Sequence, residues 1–209
     1  MKNIFIVLFV IAIACSPEVS KTKEVLEKYP DGKVKTQVVY SGDTAVKTEF
    51  YKNGQIKKQG YYLKDEPDFK IHYYTESGGL KEISYYDSEG DLDGLSMAFY
   101  DFGGVAETVT YVKGKRNGRH LVYHPNGNLF LDEFVKDSLR DGSYKVYRED
   151  GITLEEEGFY KEGKRHGIFK LYHENGALKD SVIYKNSQFI EAHFHDSTGK
   201  YVESGYLKE

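Results

Sequence analysis

The chain has 209 residues, 29 Lys+Arg against 33 Asp+Glu and a formal net charge of −4. A mildly acidic balance of mixed signs argues against nucleic-acid binding, which calls for a basic surface, and a single cysteine excludes an intramolecular disulfide. No Gly-x-Ser-x-Gly elbow, His-Glu-x-x-His pair or phosphate-cradling loop occurs, so the sequence offers no catalytic signature and implies neither cofactor nor metal.

In chain order, Met1-Lys2-Asn3 precedes an unbroken apolar run from Ile4 to Ala14. A run this short does not cross a bilayer, which takes about 20 residues; behind one positive charge it reads as a signal-peptide core over 1–14. Ala12-Ile13-Ala14-Cys15-Ser16 resembles a bacterial lipobox, which implies lipidation at Cys15, a membrane anchor and a cell-envelope address, with the outer membrane as the expected site. The alternative is a plain secretory signal with an incidental cysteine. Removing 1–14 removes Lys2 and moves the net charge from −4 to −5. Residues 15–28 are polar and read as a tether, and 29–209 as the folded domain.

From there one unit recurs. Gly32, Gly54, Gly78, Gly103, Gly127, Gly151, Gly176 and Gly199 are spaced 22 to 25 residues apart, the mark of about eight stacked copies. An aromatic column precedes them: Tyr29, Tyr51, Tyr74, Tyr100, Tyr123, Tyr147, Tyr172 and Phe194. A second follows: Tyr61, Tyr85, Tyr111, Phe134, Phe159, Tyr184 and Tyr206. The dipeptides Asn53-Gly54, Asn126-Gly127 and Asn175-Gly176 predict two-residue hairpin loops with positive φ at both positions. A second turn is predicted at Gly114-Lys115-Arg116-Asn117-Gly118, Asp137–Gly142 and Gly163-Lys164-Arg165-His166-Gly167; copies near 60–72, 91–95 and 184–192 lack this pattern, and differently shaped turns are expected there. Ile168-Phe169-Lys170-Leu171-Tyr172 alternates with strand period.

Tyr123-His124-Pro125-Asn126-Gly127-Asn128-Leu129, Tyr172-His173-Glu174-Asn175-Gly176-Ala177-Leu178-Lys179 and Tyr160-Lys161-Glu162-Gly163-Lys164-Arg165-His166-Gly167 resemble the variant MORN repeat, and most of all the bacterial YwqK-type chains labelled antitoxin-like. The resemblance spans roughly 27–207 and implies an all-β fold, an elongated, twisted single antiparallel sheet of about eight hairpins. A lone sheet has no second layer, so the aromatic columns are expected to shelter one another and the apolar residues to line a trough.

Among polar groups, His124 and His173 are too far apart to share a metal ion, and with His193 and His195 they read as solvated turn histidines. Glu155-Glu156-Glu157 reads as a solvated edge or a local charge partner of the Lys164-Arg165 turn, and Asp65-Glu66-Pro67-Asp68 as an acidic turn. The candidate partner-binding residues are Tyr100, Tyr123, Tyr147 and Tyr172, because tyrosine favours interface hot spots, with Lys115, Arg116, Lys164 and Arg165 as a spaced basic stripe for an acidic partner. The sequence therefore points to a non-enzymatic, lipid-anchored platform for a protein partner. An antitoxin or immunity role, carried by the resemblance, and a glycan-binding envelope module are the alternatives.

Overall fold

The structure, a computed structural model, describes residues 20–64 and 69–206. The expected leader, Cys15, the Asp65–Asp68 turn and the Lys208-Glu209 end lie outside the described residues. Every regular element within them is a strand: β1 Lys21–Lys28, β2 Val34–Ser41, β3 Thr44–Phe50, β4 Ile56–Leu63, β5 Phe69–Tyr74, β6 Leu80–Tyr86, β7 Gly94–Phe99, β8 Val105–Val112, β9 Lys115–Tyr123, β10 Leu129–Lys136, β11 Leu139–Tyr147, β12 Leu154–Lys161, β13 Lys164–Arg165, β14 Gly167–Tyr172, β15 Leu178–Lys185, β16 Gln188–His195 and β17 Tyr201–Tyr206. Neighbours in sequence pair antiparallel throughout, giving one open meander; β13 and β14 both pair with β12 and form one strand interrupted at His166. No described segment is a helix, so none is long and apolar enough to cross a membrane. The tether expected up to residue 28 ends earlier than that: Lys21–Lys28 is an edge strand on β2, with all eight residues exposed.

In a meander, alternate turns emerge at opposite long edges. The repeating glycines occupy one edge, and their loops are not the expected two-residue turns. Tyr51 N–H donates to Gln55 O and Gly54 N–H to Tyr51 O, so three residues turn the chain and only the glycine, at φ 89°, is left-handed. Asn53, Asn126 and Asn175 keep negative φ because each does side-chain work instead: Oδ1 of Asn53 accepts the N–H of Gln55, and Nδ2 donates to Glu76 O one repeat later.

The two-residue turns with positive φ at both positions lie on the opposite edge, at Lys113-Gly114, Asp137-Ser138, Glu162-Gly163 and Asn186-Ser187. The turn at 186–187 thus has the same form as its Gly-Lys-Arg relatives, against expectation, while the 87–91 turn is of the three-residue kind. Gly118, Gly142 and Gly167 follow these turns with positive φ where the ladder register shifts, so they are bulge glycines rather than turn glycines.

Following the registers across the sheet gives one continuous row: Val38, Lys47, Gly60, Ile71, Ser84, Ser96, Val109, His120, Glu133, Tyr144, Gly158, Phe169, Val182, Ala192 and Gly205. This row holds most of the core: Ile71, Val109, Phe169 and Ala192 are at most 4 % exposed. Rings from neighbouring rows cover it; Phe169 meets Tyr160 and Tyr184 edge-on at 5.3 and 5.5 Å. The row is not apolar throughout, as a plain trough would be. Ser84, Ser96, His120 and Glu133 hold its middle.

Candidate functional site

The buried polar segment begins where Ser84 Oγ and Ser96 Oγ meet at 2.6 Å and Ser84 reaches the Glu82 carboxylate. Two strands on, His120 sits between two carboxylates. Nδ1 lies 2.8 Å from Glu133 Oε1, and Nε2 lies 2.8 Å from Glu107 Oε1, off the axis of a good hydrogen bond. These flanking carboxylates push the imidazole up to about 9, so it is an imidazolium at neutral pH. His120 in turn holds the Glu107 carboxyl below its usual range against the effect of burial. Burial pushes Glu133 up, but His120 and Arg140 outweigh it and hold the carboxyl low. Arg140 Nε is 2.5 Å from Glu133 Oε2, and Arg116 Nη2 is 3.8 Å from Glu107. Charges thus alternate in sign through Arg116, Glu107, His120, Glu133 and Arg140. The two imidazole nitrogens face different carboxylates, so these groups are one another's partners and do not converge on a shared ligand.

Arg140 and Arg165 also stack on rings. Arg140 lies 5.0 Å from the Tyr144 centroid and 5.2 Å from Tyr160; Arg165 lies 5.0 Å from Phe169 and 5.3 Å from Tyr184. Arg165 also meets Glu156 at 3.5 Å, the charge partnership expected for the glutamate run, while Glu157 on the other face takes Lys170 and Tyr172.

The expected site residues do not come together. Lys115 and Arg116 open β9 and Tyr123 closes it, so the basic and tyrosine groups occupy opposite ends of one strand, roughly 26 Å apart. Lys115, Arg116, Lys164 and Arg165 lie in strands just after their turns rather than in the turns themselves. Tyr100 opens a turn and donates its hydroxyl to Tyr123 O at 2.5 Å. Tyr123 and Tyr147 end strands, and their carbonyls accept from Tyr100 and His124. Tyr172 donates to Glu157 Oε1 at 2.7 Å, and burial together with that carboxylate pushes its phenol up to about 12.

The turn-opening residues form a ladder that the sequence reading missed. Tyr29, Tyr51, Tyr100, His124, Arg148 and His173 each reach the carbonyl of the last strand residue one repeat on: Phe50, Tyr74, Tyr123, Tyr147, Tyr172 and His195. His124 and His173 are therefore inter-repeat ties and not free solvated side chains. The signal was present in the spacing, but column one mixes two registers, since Tyr74, Tyr123, Tyr147 and Tyr172 sit one position earlier than Tyr29, Tyr51 and Tyr100.

The second aromatic column also divides. Tyr111 and Tyr184 face the buried row, whereas Tyr61, Tyr85, Phe134, Phe159 and Tyr206 point to the other face, because a one-residue offset inverts a strand side chain. On that other face Phe134, Phe159 and Ile168 fall in one row and are 43 %, 46 % and 54 % exposed. An apolar cleft lined by Val46, Tyr61, Leu63, Phe69, Lys70 and Tyr85 opens nearer the N-terminal end. Asp87, Glu89 and Asp91 bring carboxylate oxygens within 4.8 Å of one another in an exposed turn, where Asp87 Oδ1 accepts the N–H groups of Glu89 and Asp91.

The family model described as "MORN repeat variant" matches residues 44–64 and 165–186, a hairpin near each end of the sheet. The chain thus carries MORN-variant repeats at these two hairpins, and such repeats indicate a protein that binds proteins or membranes. No curated protein matches it. Among solved structures, the accessory secretory proteins 1, 2 and 3 of Streptococcus pneumoniae align at 17% identity and a TM-score of 0.28, over 60% of this chain and 21% of that one. The chain thus spans about a fifth of that protein's length.

Proposed function

We propose that this chain is a non-enzymatic binding platform, anchored through Cys15 to a membrane of a bacterial cell envelope, whose partner is a protein. One observation supports the platform reading most directly: among the described residues nothing covers the row that holds Phe134, Phe159 and Ile168. Ser143 lies between the two phenylalanines, and an exposed apolar row rimmed by polar residues is what interaction faces present. The anchor reading rests on the apolar run from Ile4 to Ala14 followed by Cys15.

The test is a crosslinked pull-down from membranes with the full chain, a Cys15→Ala form, and a Phe159→Ser/Ile168→Ser form with an unchanged melting profile. One stoichiometric protein partner is expected with the first two and is lost with the third. Retention of that partner by the serine variant refutes the face. Recovery of the chain in the cytoplasm with Met1 intact refutes the anchor.

A further inference from the structure

The edge that carries the two-residue turns is divided by charge. Its first connection exposes Asp43 and its third carries Asp87, Glu89 and Asp91, the last two exposed; of the second, exposed Lys64 is the one residue described. Its last four expose Lys113, Lys136, Lys161 and Lys185, with Lys115 and Lys164 one step inside; these six lysines outnumber the exposed turn carboxylates Asp137 and Glu162. The boundary is built firmly. Gly114 N–H donates to Leu92 O, and Lys113 N–H donates to Asp93 Oδ2, so the last acidic turn and the first basic turn are tied together. Lys115 pairs with Asp137 at 3.7 Å; Lys113, Lys161, Lys164 and Lys185 have no carboxylate at ion-pair distance among the described residues.

We infer that two copies of this chain pair along this edge, antiparallel, about a two-fold axis at the boundary between the 87–93 and 113–114 turns. The operator lays the acidic half of each copy on the basic half of the other. Both halves are built from the same repeat, with turns every two strands, about 9.6 Å, so the opposed charges keep pitch along the contact without any further adjustment. Asp91 faces the partner's Lys113, and Asp43 faces the partner's Lys161 and Lys164. A separate acidic protein segment or an anionic lipid surface would meet only the basic half and be repelled by the other. A second copy uses both. Exposed ion pairs of this kind give weak, salt-sensitive association whose main product is register.

Sedimentation of the purified full chain tests this. A dimer is expected at low ionic strength, with its dissociation constant rising at least tenfold at about 1 M salt, where the screening length falls to about 3 Å. Lys113→Glu/Lys161→Glu/Lys164→Glu reverses three charges of the basic half, and Asp43→Lys/Glu89→Lys/Asp91→Lys reverses three of the acidic half. Each alone is expected to be monomeric, and an equimolar mixture is expected to restore the dimer. All six positions are exposed, and circular dichroism with unchanged melting confirms that the sheet is intact. A monomeric wild type at low salt, variants that self-associate like the wild type, or a mixture that stays monomeric each overturns the inference. Salt-insensitive association also overturns it and points to the apolar run at Ile4–Ala14 instead.

Discussion

At Glu133, a carboxylate only 4 % exposed persists in the middle of the sheet because His120 and Arg140 meet it from two sides. Removing the imidazole leaves Glu133 and Glu107 short of a cation, and His120→Ala is expected to cost about 3 kcal/mol in chemical denaturation. The pH dependence has a defined sign. His120 titrates at about 9 in the fold against about 6.5 when unfolded. Its contribution is complete below about 6.5 and is lost as pH rises through about 9. The lowered carboxyls of Glu107 and Glu133 contribute above the ordinary carboxylate range and lose that contribution as pH falls. Melting temperature is therefore expected to fall from about pH 6.5 to 9, and His120→Gln to flatten that slope. An equal slope in both proteins would show that the buried ion chain does not govern it.

Gly158 tests packing at the same scale. Glycine in a strand is ordinarily worse than alanine by about 0.5–1 kcal/mol, yet a Cβ here runs into the Phe169 ring, which is 1 % exposed and held by Tyr160 and Tyr184. Gly158→Ala is expected to destabilise by about 1–3 kcal/mol. At Gly60 the obstacle is the outer end of the Tyr62 ring, which can swing away, so Gly60→Ala costs less. Denaturant midpoints of the two variants compare them directly.

At the scale of the element, the hairpin is held to its neighbour by turn side chains as well as by strand pairing. Tyr100→Phe removes only the hydroxyl that donates to Tyr123 O, and a loss of about 1 kcal/mol is expected. Thr75 occupies the equivalent turn position but bonds within its own turn, to Ser77 and Gly79, so Thr75→Val should leave the contact between neighbouring hairpins unchanged. The existence of the hairpins was legible from the glycine period and from the alternation in segments such as Ile168–Tyr172. Their turn types were not. Asn-Gly is compatible with a two-residue primed turn and with a three-residue loop, and the choice rests on whether the asparagine amide finds a carbonyl, here Glu76, Glu149 or Ser197, in the following repeat. Likewise, adjacent pairs such as Tyr61-Tyr62 and Phe159-Tyr160 put one ring on each face, and the strand register decides which ring covers the core.

For the molecule as a whole, with β13 and β14 counted as one strand, every described strand pairs with its sequence neighbours, so stability is a sum of local units and interfaces. Deleting 124–147 joins Tyr123 to Arg148, the next turn-opening residue. A folded, shorter sheet is expected, with the denaturant slope reduced by about one eighth, since that slope follows the surface exposed on unfolding. Collapse of the fold on this deletion would show contacts beyond nearest neighbours. Amides of β1, whose residues are all exposed and paired on one side only, are expected to exchange faster than those of β10, which lies between β9 and β11.

The amino-acid sequence by itself determined the repeat, its strand period and the single meandering sheet, because each of these follows from glycines and alternation within some twenty-five residues of chain. It also supplied every charged residue of the split edge and of the buried row. Only the tertiary structure decided where those charges fall. Alternate turns of a meander go to opposite edges, so Asp87–Asp91 and Lys113–Lys185 share one edge although tyrosine-rich loops separate them in sequence. His120, Glu107 and Glu133 look like ordinary surface residues of three separate strands until pairing sets Glu133 opposite His120 and Glu107 diagonal to it on the same face, where each relieves the burial of the next.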